Sequence, residues 1–224
     1  MKQSKMEELA VSIIHEIRNP LTTIKGLIQL LKPHLTEPNS KQYASLALSE
    51  IERTNEMLYQ FLDSVKPQHF YQKHNFVIND LVEDIELFFQ NEANESKITL
   101  EFEPENENRL IHGNENRLKQ VLINIIRNSF DAIKLNDKEE QGKIIIRTQI
   151  DHPWVVISIM DNGCGMSNET LENLFLPYFS TKSTGTGIGL ALCKEIIEEH
   201  EGKINFTTIE GEYTEVSIKL PAVL

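Results

Sequence analysis

Three things are scarce in this sequence. Cysteine is nearly missing: Cys164 and Cys193 stand alone, at no pairing or metal-ligand spacing, so they read as small packed residues in a reducing compartment such as the cytoplasm. Apolar runs stay far short of the ~18 residues that cross a bilayer, and no signal sequence opens the chain. An external stimulus would thus need an N-terminal sensor region outside these residues, through which the native protein would be membrane-anchored. Positive charge is short as well. The 22 Lys and Arg against 34 Asp and Glu leave a net charge of -12, which argues against a nucleic-acid surface. Anionic ligands must be met by local cations or backbone amides.

What is present begins with Ile14-His15-Glu16-Ile17-Arg18-Asn19-Pro20-Leu21. Ala10, Ile14, Ile17, Leu21, Ile24, Ile28 and Leu31 step by fours and threes, the apolar seam of a helix that packs on other helices. His15 falls one residue off that seam, about 100° round the helix, where a partner can reach its ring. At an ordinary pKa near ~6.5 the ring is mostly neutral at pH 7 and nucleophilic. Glu16 can orient the ring and take its proton, and Asn19 shares the His15 face one turn on. Pro20 removes the bond to the Glu16 carbonyl and should loosen the helix there. The octet fits equally a helical hairpin with an exposed His and a proline kink.

The 224 residues suffice for one or two domains. Pro33 to Ser40 should end the first helix, and a second seam follows through Ala44, Leu48, Ile51, Asn55, Leu58, Leu62 and Val65. Two such helices bury too little alone, so a homodimeric four-helix bundle is expected, with Asn55 as a polar group fixing register. Residues 68–75 read as a linker, with His69 and His74 solvated. From residue 76 the pattern turns mixed: a helix over Ile78 to Asn91, with Asn79 as a possible cap and Leu81, Ile85 and Phe88 inward; then a strand over Ile98 to Glu103.

A helix beginning near Asn114 has a core face of Leu118, Val121, Leu122, Ile125 and Ile133 and a polar face of Gln120, Asn124 and Asn128. Asn128, helped by Asn124, can offer oxygen to Mg²⁺ on a nucleotide; the same face also suits mere exposure to water. After strands at Lys143 to Ile150 and Trp154 to Met160 comes Asp161-Asn162-Gly163-Cys164-Gly165-Met166. A carboxylate at a strand end can accept from an exocyclic amine such as that of adenine, while Gly163 and Gly165 let the backbone turn beneath a flat base. Phe175, Pro177 and Phe179 lead to Ser180-Thr181-Lys182 and then to Gly185-Thr186-Gly187-Ile188-Gly189-Leu190, which opens a helix whose free amides suit phosphate, with Lys182 as counter-charge. The run is neither a Walker loop nor a Rossmann turn. His34, His112, His152 and His200 have no partners at ligand spacing and read as surface or turn residues.

The His15 octet resembles the phosphoacceptor box of sensor histidine kinases. The stretches Asn124 to Asp131, Asp161 to Met166, Phe175 to Lys182 and Gly185 to Leu190 resemble, in order, the ATP-binding domain that those kinases share with clamp-type chaperone and mismatch-repair ATPases and with mitochondrial dehydrogenase kinases. The wording of the boxes further resembles the sporulation kinases of endospore-forming bacilli. The resemblance implies a multidomain chain: an α-helical hairpin over residues 1–67, then an α/β sandwich ATP-binding domain over 76–224, a mixed sheet covered on one face by helices. It implies ATP and Mg²⁺ as cofactors, transfer of the γ-phosphoryl to His15, and passage to an Asp of a response-regulator receiver domain.

By position, the resemblance assigns adenine reading to Asp161 with Gly163, Gly165 and Met166 beside it, and Mg²⁺ to Asn128. Phosphate goes to Gly185, Thr186, Gly187, Ile188 and Gly189, and the base pocket to Ile133, Leu190 and Thr214. Asn19 would hold a water for dephosphorylation of the partner. Many members carry a basic residue where this chain has Asp131; Arg127 would supply that charge instead. The apolar rim of the bundle suits a small regulatory protein. Two rivals are an ATP-driven clamp, in whose branch a Glu stands where Asn124 does here, and a non-catalytic dimeric scaffold.

Overall fold

A computed structural model describes residues 17, 20–37, 39–48, 50–51, 54, 72–136, 141–177, 179–182 and 187–223. The chain divides into two compact units, Met1–Phe70 with Ser180–Thr186, and Tyr71–Phe179 with Gly187–Leu224. No described helix is long and apolar enough to cross a membrane.

In the first unit, helical backbone runs over residues 20–31 (α1) and 39–48 (α2). Lys32–His34 winds into a single 3₁₀ turn with Pro33 at its start, where a missing N–H is harmless, and extended Leu35 ends it. Leu21, Ile28, Ala44 and Leu48 of the expected seams are half-buried and Ile51 is buried, but Ile17, Ile24, Leu27, Leu30, Leu31, Tyr43 and Leu46 are exposed. That is a large apolar surface for one protomer to leave in water. His15, Glu16, Asn19 and Asn55 lie outside the described residues.

The second unit runs β1 (His74–Val77), α3 (Ile78–Ser96), β2 (Thr99–Glu103), β3 (Leu110–Gly113), α4 (Glu115–Lys134), β4 (Lys143–Asp151), β5 (Trp154–Asp161), α5 (Asn168–Asn173), α6 (Gly189–Glu199), β6 (Lys203–Ile209) and β7 (Tyr213–Pro221). Its main sheet has the order β2-β4-β5-β7-β6, and β1 pairs with β3 in a small second sheet. β2 lies parallel to β4, joined through α4, and the remaining pairs are antiparallel.

Alternation decides which face of the sheet is covered. Val155, Ile157, Ile159 and Asp161 of β5 and Val216, Ile218 and Leu220 of β7 are buried, with the residues between them partly open. The inward set packs on α3, α4 and α6 in one core, in which Phe89 and Phe130 stack 5.6 Å apart. The other face carries ion pairs such as Lys143–Glu101 at 2.9 Å and Lys219–Asp151 at 2.9 Å. The expected one-sided sandwich is present.

Four local expectations are corrected. Phe88 is 57% exposed and Phe89 is buried, because the stripe Leu81, Val82, Ile85, Phe89, Ala93 faces the sheet. Asn79 does not cap α3: Val77 precedes the helix, and the Asn79 amide instead donates to Glu105 O (3.0 Å) and Asn108 Oδ1 (3.1 Å) and accepts from Thr148 Oγ1 (2.8 Å). The last two residues of the expected linker lie in β1, where His74 pairs with Gly113 and Asn75 with His112. His200 is no surface residue; it is 5% exposed and bonded at both ring nitrogens.

Candidate functional site

β5 delivers Asp161 to the end of the sheet with its side chain on the covered face, 3% exposed. Its Oδ1 accepts from the Gly163 N–H at 3.0 Å, and the Ser129 hydroxyl and Thr214 N–H also donate to the carboxylate. Burial pushes its pKa up, against those three hydrogen bonds, which pull it down. A carboxylate has about four acceptor positions, so three neutral donors leave one for a further donor.

The loop after Asp161 is held from several sides. Cys164 N donates to Ala132 O at 3.0 Å, Gly211 N donates to Cys164 O at 2.7 Å, and Met166 N donates to Thr208 Oγ1 at 3.0 Å. Gly165 has φ +62°, and a Cβ there would stand 2.1 Å from the Ile209 carbonyl oxygen, so no side chain fits. Thr208 pairs with Thr214 across β6 and β7, their hydroxyls 3.2 Å apart. Thr214 is itself opposite Asp161 in the sheet. Asn162 turns away and ties the loop to the start of β4 by accepting from Lys143 N at 2.7 Å.

α4 presents the amide residues. Asn124 and Asn128 are half-buried, Arg127 is exposed and Asp131 is half-buried. Asn124 donates to Cys193 Sγ at 3.5 Å and fills the space left by Gly189, whose added Cβ would meet the Asn124 amide at 2.7 Å. The glycine opening α6 therefore lets α4 come close. Burial pushes the Cys193 thiol up to about 12, which makes it inert.

The structure brings Asp161, Gly163, Gly165, Met166 and Thr214 together, and sets Asn124 against Gly189. Gly187, with φ +67°, and Ile188 lead into α6, and Leu190 is half-buried in its first turn. Ile133 points elsewhere: a Cβ on Gly142 would lie 2.5 Å from Ile133 Cγ2, with Ile98 beside it. Its neighbour Ala132, one helical step round, is the residue against Gly163. Lys182 N donates to Ser180 Oγ at 3.1 Å within its own short turn. Gly185 and Thr186 lie outside the described residues.

Sequence reasoning missed Ser129, Ala132 and Thr208. The core stripe of α4 extended by one position would have found Ser129. Thr208 had no local signal, since it is recruited by pairing with Thr214.

Residues 5–70 match the model of the His Kinase A phospho-acceptor domain, and residues 113–224 match that of the histidine kinase-, DNA gyrase B- and HSP90-like ATPases. The chain belongs to the sensor histidine kinases. The kinase is 37% identical over 225 residues to sporulation kinase B of Bacillus subtilis (strain 168), covering 100% of the chain and 51% of that relative. It therefore spans about half the length of that curated relative. The solved catalytic domain of the histidine kinase ThkA is 33% identical, with a TM-score of 0.58 over 66% of the kinase and 95% of that chain. ThkA solved in complex with the response regulator protein TrrA is 29% identical, with a TM-score of 0.67 over 99% of the kinase and 63% of that chain.

Proposed function

We propose that this kinase moves the γ-phosphoryl group of Mg·ATP onto His15 and from there to an Asp of a response-regulator receiver domain. One observation carries the nucleotide half: the buried Asp161 carboxylate accepts from the Gly163 N–H at 3.0 Å, has among the described residues the neutral groups of Ser129 and Thr214 as further hydrogen-bonding neighbours, and keeps an acceptor position for an exocyclic amine. Gly165, where a Cβ would strike the Ile209 backbone, lets the loop after Asp161 pack closely on the end of β6. The residues present thus fit adenine. Among the described residues no cluster of three His, Cys, Asp or Glu could hold a metal ion. Mg²⁺ would arrive with the nucleotide, held by the Asn128 amide oxygen and by phosphate, and would neutralise charge on the phosphate oxygens. Asn124, already packed on Gly189 and Cys193, is better suited to spacing α4 from α6 than to ligation.

In this reading a ring nitrogen of His15 attacks the γ-phosphorus, the bond to the β–γ bridging oxygen breaks to leave ADP, and Glu16 takes the ring proton. Gly185, Thr186, Gly187, Ile188 and Gly189 offer backbone amides to the phosphates, and Arg127 supplies the cation that Asp131 does not. Asn19 holds the water for the reverse reaction on the partner. Residues 1–67 would form the phosphoacceptor hairpin, and the ATP-binding domain over 76–224 would take in β1, which starts at His74. Homodimerisation through the hairpin is supported by the exposed Ile24, Leu27, Leu30 and Leu31. A receiver partner is supported by the likeness to ThkA, solved with its response regulator, and a role in a sporulation phosphorelay by the likeness to sporulation kinase B. The apolar rim of the bundle would also take a small regulatory protein.

The test is labelling from γ-labelled ATP. The label should be acid-labile, base-stable and absent from His15→Gln; wild-type labelling of that variant sinks the reading. Asn128→Asp should depress Mg·ATP turnover while leaving the dimer intact.

A further inference from the structure

His200 is a buried titratable group with no part in the chemistry above. It caps the C-terminus of α6, and its ring lies against the last residue of β3: a Cβ on Gly113 would stand 2.6 Å from His200 Cδ2. Its Nδ1 is 2.7 Å from Ile196 O, a carbonyl that only accepts, so Nδ1 carries the proton. Its Nε2 is 2.8 Å from Asn114 N, whose N–H only donates, so Nε2 offers its lone pair. The neutral ring with its proton on Nδ1 is the one form that satisfies both neighbours.

Asn114 is in turn the residue that starts α4, its side chain accepting from Arg117 N at 3.0 Å. The imidazole thus ties the beginning of the helix that bears Asn124 and Asn128 to the end of the helix that Gly189 opens.

We propose that His200 is a proton-operated latch: uptake of a proton at Nε2 sets two donors face to face, releases the start of α4 from the end of α6, and weakens nucleotide binding.

The surroundings favour the neutral ring. Burial is the main cause that holds its pKa below the usual histidine value, and the Lys73 and Arg117 cations add to it; the bond to Ile196 O and the Glu199 carboxylate pull the other way. The charged groups around it are Arg117 of α4, paired to Glu199 of α6 at 3.0 Å, and Lys73 ahead of β1, which donates to Glu199 O at 2.6 Å. His74 of β1 is bonded to Glu115 of α4 at 3.3 Å. An unfolded histidine takes its proton near pH ~6.5, so the contribution of the latch is full above that value and is lost as pH falls through the lower folded midpoint.

The nucleotide part of this proposal rests on the ATP reading above; the latch itself does not. Hydrogen exchange at the Asn114 amide and calorimetric titration with Mg·ADP are made on the full chain at about pH 7.5 and at a pH about one unit below the His200 midpoint, which is read by NMR titration of its ring. Wild type is compared with His200→Gln, whose side-chain oxygen can accept the same N–H without titrating. Wild type should lose protection at Asn114 and, relative to the variant, roughly fivefold in affinity at the lower pH, most of the tenfold that one hydrogen bond is worth. By reciprocity, saturating Mg·ADP should lower the His200 midpoint by about one pH unit. Equal losses in the variant, or full protection of wild type at the lower pH, overturn the latch. If wild type binds no nucleotide at either pH, the ATP reading falls and the amide exchange alone decides the latch.

Discussion

Asp161→Asn separates binding from folding. The substitution keeps size and one oxygen with two acceptor positions, so the amide oxygen can still take the Gly163 N–H, at 3.0 Å in wild type, and the Thr214 N–H, while the Ser129 hydroxyl can turn to accept from the new NH₂. What changes is the remaining acceptor position, where an NH₂ would now face the exocyclic amine of adenine. Losing one hydrogen bond to a charged acceptor removes about 1.5–3 kcal/mol, so the Kd for Mg·ADP should rise roughly ten- to a hundredfold by calorimetry. Stability should move the other way. The folded pKa of Asp161 is raised by burial, so its favourable contribution exists below the unfolded value near ~3.9 and is lost as pH rises through the folded one. At neutral pH the ionised group costs stability, and the uncharged variant should melt at or above the wild-type Tm, with the difference vanishing toward pH ~4. An unchanged Kd, or a Tm clearly below wild type, would refute the assignment of Asp161 as the reader of the base.

Gly165→Ala must abandon φ +62° or push the Ile209 backbone, so it should cost more than about 2 kcal/mol in urea denaturation and abolish nucleotide binding; a loss below about 0.5 kcal/mol would contradict the close approach. Phe89→Ala, which removes a buried ring stacked on Phe130, should cost about 3–5 kcal/mol and lower Tm by about 10 °C or more, whereas exposed Phe88→Ala should stay within about 0.5 kcal/mol. Equal effects at the two positions would reverse the facing of α3. Asn114→Ala deletes the side-chain acceptor for Arg117 N at the start of α4 and should cost about 1 kcal/mol by thermal melting, while an unchanged Tm would mean the cap is idle.

What could be read along the chain was whatever repeats at short range. The spacing of Leu118, Val121, Leu122 and Ile125 gave α4 its inward face, Asn114 marked its start, and the two glycines after Asp161 marked a turn, because periodicity, caps and backbone freedom act over a few residues. The order of the phosphoacceptor and nucleotide stretches was legible for the same reason, each being a local string of residue types.

Partners brought from far along the chain were settled only by the fold. Leu87, Phe88 and Phe89 are adjacent apolar residues, and it is the lie of α3 on the sheet that buries the last and exposes the others. β1 is four residues long, too short to announce itself, and exists through pairing with β3. Asn79 resembles a cap until Thr148 is delivered to it by β4, and His200 resembles a turn residue until β3 and α4 close over it. Ser129, Thr208 and Thr214 converge near Asp161 by the packing of α4 and the register of β5, β6 and β7, a meeting of residues too distant in the chain for any local pattern to encode.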